Sequence, residues 1–310
     1  MYSTCSTAND GRVFCAPRTA ASVVAVDTLR NSSYFLPGSY DTSVDKYVTS
    51  ALAGDGIIYA APYNAERVLA IDPYSNTSFL FGKSYVGTAQ YLTSTKANDG
   101  RIFCAPYSKW NVLVIDPAQN TTYLLNELKY NATTSKYRAS ALAGDGRIYA
   151  VPYDASRVLV MDPFLNMSYT LATEYADRWA AVARGMTEGS GLLHTAARKC
   201  SGLTPHAVNG SLRNGHLFAA PLGSDYSLEI DPADNATSFW SSEFHSSFET
   251  FKACAAVGDG RIIMIPYSSQ FVYYLNPYDN PNHKVAKPVF NPRFPPTSDY
   301  EWFQRRTTAK

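Results

Sequence analysis

A unit of about 45 residues recurs six times along this 310-residue chain, and that recurrence constrains the fold more than any other feature. Its mark is an Asp-Gly pair at Asp10-Gly11, Asp55-Gly56, Asp99-Gly100, Asp145-Gly146 and Asp259-Gly260, with Asn214-Gly215 as the variant member. The spacings are 45, 44, 46, 69 and 45 residues. Behind each pair runs a short apolar stretch closed by Pro, from Val13–Pro17 in the first unit to Ile262–Pro266 in the last. A second apolar run ends in Asp-Pro at Asp72, Asp116, Asp162 and Asp231, with Asp27-Thr28 and Asn276-Pro277 as variants. An Asn turn and a short aromatic segment, as in Asn76-Thr77-Ser78-Phe79, complete the unit. Eight residues ahead of each pair stands a ring: Tyr2, Tyr47, Tyr91, Tyr137, His206 or Phe251.

Each unit therefore reads as four strands, a to d, expected in the second unit at 47–53, 57–61, 68–71 and 78–81. Asp-Gly suits a two-residue hairpin turn between a and b because Gly accepts positive φ without steric cost. Ile57-Ile58-Tyr59-Ala60-Ala61 has no polar side, the pattern of a strand covered on both faces. A single four-stranded sheet cannot hide two apolar faces, and radial stacking of the copies solves the problem. The expected fold is all-β: a six-bladed β-propeller of four-stranded antiparallel blades over 1–290, with blades near 1–45, 46–90, 91–135, 136–171, 206–250 and 251–290. Residues 291–310 read as an extended tail, rich in Pro and aromatic side chains. Ring closure has three candidate routes: packing alone, an edge contact from the tail, or a blade absent from this chain.

The 69-residue interval exceeds the period by about 24 residues, an excess assigned to 172–205, between strand d of the fourth unit and a strand a at His206. Tyr175, Trp179 and Val182 at spacings of four and three predict a helix over 174–184. A glycine-rich stretch and a second short helix follow. This helical insertion between blades 4 and 5 is expected to stand as a lid over the channel mouth.

The string Asp99-Gly-Arg-Ile-Phe-Cys-Ala-Pro-Tyr-Ser-Lys-Trp-Asn-Val-Leu-Val-Ile-Asp116 resembles the repeat of YVTN-type and NHL-like propellers, across all six units. The resemblance implies the fold. For activity it implies little, because that group holds surface, adhesion and ligand-binding proteins beside a few lyases and hydrolases. Departures are the Asp-Pro ending of strand c and the Pro that closes strand b. The Trp-Asp and Gly-Gly signatures of other propeller repeats are missing.

Charged residues make up 17 % of the chain and the net charge is +1, without long blocks of one sign, so no nucleic-acid partner is expected. No apolar run reaches the ~18 residues of a membrane span. Met1 leads directly into Tyr2 with no leader pattern, and the compartment stays undetermined. Seven Asn-x-Ser/Thr sites, Asn31, Asn76, Asn120, Asn131, Asn166, Asn209 and Asn235, fall mostly at the c–d turn and would accept glycans if the chain were secreted.

In a propeller the a–b and c–d turns share one end, and the b–c loops and d–a connections share the other, the end that commonly carries ligands. Four b–c loops open with Pro-Tyr. With their neighbours they make a polar and aromatic rim whose candidate ligand-binding residues are Arg18, Tyr63, Arg67, Tyr107, Trp110, Tyr153, Asp154, Arg157, His194, Tyr226 and Tyr267. Flat rings with hydrogen-bonding tips suit a small polar molecule, a glycan or a protein segment. A tyrosine present in each unit fits equally well as a seal between blades.

Five histidines show no zinc-ligand spacing, and no nucleophile elbow or phosphate loop occurs, so no metal and no cofactor is expected. The Asp-Gly carboxylates stand singly in their turns, too few oxygens for calcium. The leading reading is a non-catalytic, monomeric binding or scaffolding propeller. The rivals are a lyase or hydrolase using His194, Arg67, Arg157 and Asp154, and a purely structural protein. Cys15 and Cys104 occupy an alanine position of strand b and read as buried thiols. Cys5 and Cys254 share one position of strand a, a conceivable disulfide across the closure.

Overall fold

The computed structural model describes residues 1–40, 44–125, 135–175, 179–184, 216–221, 226–242, 251–256, 261–266, 272–275 and 285–289, and all of its regular structure is β. Sheet 1 holds β1 (Tyr2–Thr7), β2 (Val13–Pro17), β3 (Val24–Asp27) and β4 (Ser32–Phe35). Sheet 2 holds β5 (Tyr47–Leu52), β6 (Ile58–Pro62), β7 (Val68–Asp72) and β8 (Thr77–Phe81). Sheet 3 holds β9 (Thr95–Lys96), β10 (Ile102–Cys104), β11 (Leu113–Asp116) and β12 (Thr121–Leu124). Sheet 4 holds β13 (Tyr137–Leu142), β14 (Ile148–Pro152), β15 (Leu159–Asp162) and β16 (Met167–Thr170). Eight further strands form two antiparallel meanders. Meander 5 is β17 (Trp179–Arg184), β18 (Leu217–Pro221), β19 (Tyr226–Asp231) and β20 (Ala236–Ser242). Meander 6 is β21 (Phe251–Ala256), β22 (Ile262–Pro266), β23 (Val272–Leu275) and β24 (Val285–Val289). They join edge to edge where β20 pairs in parallel with β24.

The first strands pack on one another in succession, β1 on β5, β5 on β9, β9 on β13, β13 on β17 and β17 on β21, so they surround a common axis as in a propeller. Hydroxyls lock the first of these contacts. Ser50 lies between Thr4 (3.0 Å) and Ser6 (2.8 Å) of sheet 1, and Ser140 between Thr93 (2.8 Å) and Thr95 (2.7 Å) of sheet 3, while Thr49 meets Ser94. In sheet 4 the positions of Thr93 and Thr95 are taken by the buried Ala139 and Ala141, so sheet 4 offers no hydroxyls at its joint with meander 5 from those positions.

Strands b and c bury both faces, as their composition requires. Ile58, Ala60, Leu69 and Ile71 pack against Phe14, Ala16 and Ala25 of sheet 1, and Tyr59, Ala61, Val68 and Ala70 against Ile102, Cys104, Leu113 and Ile115 of sheet 3. Three more clusters join sheet 3 to 4, 4 to 5 and 5 to 6. Full burial of each large aliphatic side chain contributes roughly 1.5–3 kcal/mol, so these clusters supply the main cohesion of the stack. Among the described residues no such cluster joins meander 6 to sheet 1. Val13, Val24 and Val26 are half-buried and Cys5 is exposed, where the matching side chains of other sheets, such as Ile58, Leu69 and Ile71, are wholly covered. Meander 6 shows the complement: Ile263, Val272 and Tyr274 are half-buried and Ile265 is exposed.

The Asp-Gly turns have three residues between paired positions, where two were expected. Ala8 N–H donates to Arg12 C=O (2.8 Å) and Gly11 N–H to Ala8 C=O (3.0 Å), and Gly11 alone takes a left-handed φ of 84°. The Asp side chain explains the difference: Oδ1 of Asp10 accepts Arg12 N–H (3.0 Å), closing a turn in which only the glycine needs positive φ. At the c–d turns Asn31, Asn76, Asn120, Asn166 and Asn235 all adopt φ near 50°, values between 49° and 55°. That backbone demand accounts for the repeated Asn.

These two turn types meet between sheets. Arg12 is bound by Asp10 and reaches across to Oδ1 of Asn76 (2.6 Å) and the Pro73 carbonyl of sheet 2. Arg101 repeats the clamp onto Asn166 (2.8 Å) and Pro163, and Arg147 onto Asn235 (2.9 Å) and Pro232 (2.6 Å). Sheet 2 has Ile57 at this position and lacks the clamp.

Two further expectations are overturned. Residues 179–184 are strand β17, not helix. β17 pairs with β18 (Trp179↔Pro221, Arg184↔Leu217), with the same irregularity after its first residue as in β13. Strand a of the fifth unit is therefore Trp179–Arg184 and not a segment at His206, and the extra residues, 185–215, depart from the a–b end of the sheet. The offset rule failed because it took the a–b hairpin as constant, and this is the hairpin that is enlarged. Residues 172–175 carry no helix either, while 176–178, 185–205 and the 291–310 tail lie outside the described residues. The second correction concerns cysteine: Cys5 bonds Cys15, its direct cross-strand partner on β2 with α-carbons 4.0 Å apart, so it does not bond Cys254, and Cys15 is not a thiol. Cys104 is buried as expected, and the buried Cys254 thiol faces the Phe218 carbonyl.

Arg101→Ala is expected to cost about 1–3 kcal/mol, measured as a lowered thermal midpoint, because a charge-assisted clamp between sheets is lost. Arg101→Lys should recover little of it, lacking the planar fork. Ile57→Arg, which introduces the missing clamp, should add up to about 1 kcal/mol of stability, read as a higher thermal midpoint. Cys5→Ser should cost roughly 2–3 kcal/mol by loop closure, and unreduced peptide mapping should recover Cys5 linked to Cys15.

Candidate functional site

A run of backbone hydrogen bonds ties the b–c loops of sheets 1 to 4 into one rim. Arg18 N–H donates to Met1 C=O (3.1 Å), Lys46 N–H to Arg18 C=O (2.9 Å), Tyr63 N–H to Lys46 C=O (2.8 Å) and Gln90 N–H to Tyr63 C=O (2.8 Å). The run continues from Tyr107 to Gln90 (2.9 Å), from Lys136 to Tyr107 (2.8 Å) and from Tyr153 to Lys136 (2.8 Å). Each bond joins the first residue of a b–c loop to the residue that precedes a strand a, alternately within a sheet and between sheets. The chain turns into this contact through Asp45, Ala89 and Ser135, all left-handed (φ 58°, 50° and 66°).

The ring that opens each unit anchors the far end of the same loop. The hydroxyls of Tyr2, Tyr47, Tyr91 and Tyr137 donate to the carbonyls of Ser22 (2.8 Å), Arg67 (3.0 Å), Asn111 (3.3 Å) and Arg157 (3.0 Å). The last loop residues then turn toward strand d. Arg67 donates twice to Gly82 C=O (3.1 and 2.7 Å), Arg157 pairs with Glu174 (2.6 Å), and Tyr226 opens β19 and packs on Phe239 (5.8 Å). Arg67, Arg157 and Tyr226 are thereby separated from the rim tyrosines.

The first loop residues form the inner group. The Tyr63 and Tyr107 rings lie 6.0 Å apart, centroid to centroid, from adjacent sheets. Arg18 is ion-paired with Asp45. The guanidinium of Arg138, second residue of β13, lies 3.7 Å above the Tyr153 ring. Burial raises the pKa of the Tyr63 phenol, Tyr107 and Asp45 push it the same way, and Arg138 and Arg18 oppose them, so side chains from sheets 1, 2, 3 and 4 converge on one region. Beside it the buried Lys136 donates to the Lys109 carbonyl (3.1 Å) and lies 5.0 Å over the exposed Trp110 ring. Desolvation lowers its pKa.

Asp154 follows Tyr153 in this loop and donates its N–H to Ser135 C=O (3.1 Å). His194 and Tyr267 lie outside the described residues. β17 also removes the ground for placing His194 at this end, since 185–215 leave the sheet at the opposite one. His216, 2.8 Å from Glu229 and 3.3 Å from Asp231, stands at the a–b end, in the register of Arg12. Among the described residues no cluster of His, Cys, Asp or Glu is placed to hold a metal ion.

Sequence reasoning missed Arg138, Asp45 and Lys136. Arg138 had a visible signal: a cation at the strand-a position filled by Val48 and Leu92 in the two preceding sheets. Lys136 shares with Lys46 and Gln90 the buried position before strand a, where a polar side chain recurs without a solvent-facing reason.

What this rim sits on is a known type of scaffold. No protein-family model and no curated protein matches the chain. Among solved structures it is similar to virginiamycin B lyase from Staphylococcus aureus, with a TM-score of 0.66 and 10% identity over 93% of this chain and 83% of that one. It is similar also to a streptogramin B lyase (TM-score 0.61, 10% identity, 94% and 82% covered) and to the extracellular domain of a one component system from B. thetaiotaomicron (TM-score 0.56, 9% identity, 94% and 38% covered). At such identity the likeness extends to the fold, and the chain is a β-propeller-like all-β protein.

Proposed function

We propose that the chain is a non-catalytic binding propeller of six blades that takes a polar organic ligand on its b–c loop face. The observation that carries this reading is the backbone run from Met1 to Tyr153, which holds Arg18, Tyr63, Tyr107 and Tyr153 in one rim with the Arg138 cation stacked among them. The backbone bond at the loop start needs no tyrosine, since any residue but Pro could make it, as Arg18 does. Tyr107 and Tyr153 are buried and Tyr63 is part-exposed, and a flat amphipathic ring beside a cation is suited to a small polar ligand. Catalysis by the lyase or hydrolase route would draw on His194, Arg67, Arg157 and Asp154, and of these Arg67 and Arg157 are occupied at the outer side of the loops.

Six blades are supported by the six meanders and by the two incompletely covered apolar faces, Val13, Val24 and Val26 on one side and Ile263, Ile265 and Tyr274 on the other. Closing meander 6 onto sheet 1 would bury both. If so, Val26→Asp should destabilise the protein by about 2 kcal/mol or more, as a buried charge does. A thermal midpoint equal to that of the native chain would remove the closure.

Binding is tested with an immobilised panel of glycans, peptides and small metabolites, probed with the native chain, Tyr63→Ala and Tyr63→Phe. The expected result is a ligand whose affinity falls about tenfold in Tyr63→Ala, roughly the loss of one stacking contact, and is kept in Tyr63→Phe. A panel without ligands, or ligands indifferent to Tyr63→Ala, would overturn the rim as the site.

A further inference from the structure

We infer that the ligand of this rim is an organic anion whose carboxylate is received by Arg138, an inference that rests on the binding reading above and names its ligand class. The other cations of the rim are satisfied from within the protein. Arg18 has Asp45, Lys136 has the Lys109 carbonyl and the Trp110 ring, and Lys109 itself donates to the Val86 carbonyl. Arg138 is different. Its guanidinium is stacked on Tyr153, its Nε is buried without a hydrogen-bond partner, and no carboxylate among the described residues is within ion-pairing distance.

An arginine cannot shed its proton to escape this situation, and a buried donor without an acceptor is costly. Among sheets 1 to 4 only sheet 4 places a charge at this register; in sheet 1 the matching Ser3 also has a buried hydroxyl without a partner. Val48 of sheet 2 is buried and Leu92 of sheet 3 half-buried at that position, and neither adds a charge. Stacking on Tyr153 fixes the plane of the guanidinium and so prepays part of the ordering that a planar, two-oxygen acceptor would require. A carboxylate fits that geometry. The part-exposed ring of Tyr63, packed on the buried Tyr107 ring from sheet 3, offers the neighbouring flat surface for the body of the molecule, and Arg138 is close enough to oppose the rise in the Tyr63 phenol's pKa. The ligand class is then a sugar acid or a small ring-bearing carboxylate, held by charge at one end and by stacking along its length.

The test titrates the intact chain, by calorimetry or NMR shift perturbation, with two matched pairs: glucuronate against glucose, and benzoate against benzamide. Each acid is expected to bind about tenfold or more tightly than its neutral partner. The preference should vanish in Arg138→Gln, return in part in Arg138→Lys, and shrink as salt is raised, while the neutral partners show no salt effect. Tyr63→Ala should weaken acid and neutral partner alike. Equal binding of acid and neutral partner, or a preference that survives in Arg138→Gln, overturns the anion assignment and leaves the binding reading standing. Failure of all four probes overturns it too, and the broader panel with Tyr63→Ala then judges the binding reading separately. If Arg138→Gln melts below the native chain, Arg138→Lys and the salt series decide.

Discussion

Every feature of this protein depends on one constraint: its sheets are apolar on both faces. Strand β6 is buried along its whole length, and its side chains alternate between the cluster shared with sheet 1 and the cluster shared with sheet 3. Such a strand gains nothing from a two-layer sandwich that covers one face, and it forces each sheet between two others. Radial stacking follows, with first strands around an axis and loops gathered at two ends. The five clusters are the same contact made five times, with Phe14, Tyr59, Phe103, Tyr149 and Phe218 in matching places.

Polar chemistry is then sorted by end. At the a–b end, Arg12, Arg101 and Arg147 are consumed in clamps to the next sheet, with both Asp and Asn partners in place, so these conspicuous charges serve cohesion. At the b–c end a run of backbone bonds adds to the cohesion, and most charged side chains there are engaged as well, Arg18 with Asp45, Arg67 with the Gly82 carbonyl and Arg157 with Glu174. Arg138 stands out against this pattern, because among the described residues it is the arginine whose Nε is buried without an acceptor.

Much of the fold was legible because the unit is short and punctuated. Asp-Gly, the closing Pro and the Asp-Pro turn mark strands b and c in each copy, and the unbroken apolar runs state that both faces are covered. Strand a of the fifth unit was not legible by spacing. Trp179-Ala-Ala-Val-Ala-Arg184 has the same form as Tyr137-Arg-Ala-Ser-Ala-Leu142, an aromatic residue followed by small ones, yet helical spacing of Tyr175, Trp179 and Val182 offered a local alternative. Local periodicity yielded to a tertiary partner, since pairing with β18 satisfies a backbone that the helix would have satisfied alone. The Cys5–Cys15 bond was missed for a related reason: attention to equivalent positions in different units passed over the residue directly across the hairpin.

For the candidate rim, the sequence by itself determined that the loops after strand b carry Tyr63, Tyr107 and Tyr153 in equivalent positions, because repetition of a unit repeats its geometry. It also determined the type of each sheet, since two-sided burial is written in composition. Only the tertiary structure decided which neighbours share the rim and which turn away. Arg67 and Arg157 go outward because the strand-d carbonyl at Gly82 and the carboxylate of Glu174 lie within their reach. Arg138 joins Tyr153 because β13 brings a strand residue beside a loop that begins fifteen positions later. Contacts between units depend on which side chains face across a joint, and the one-dimensional order of residues does not contain that information.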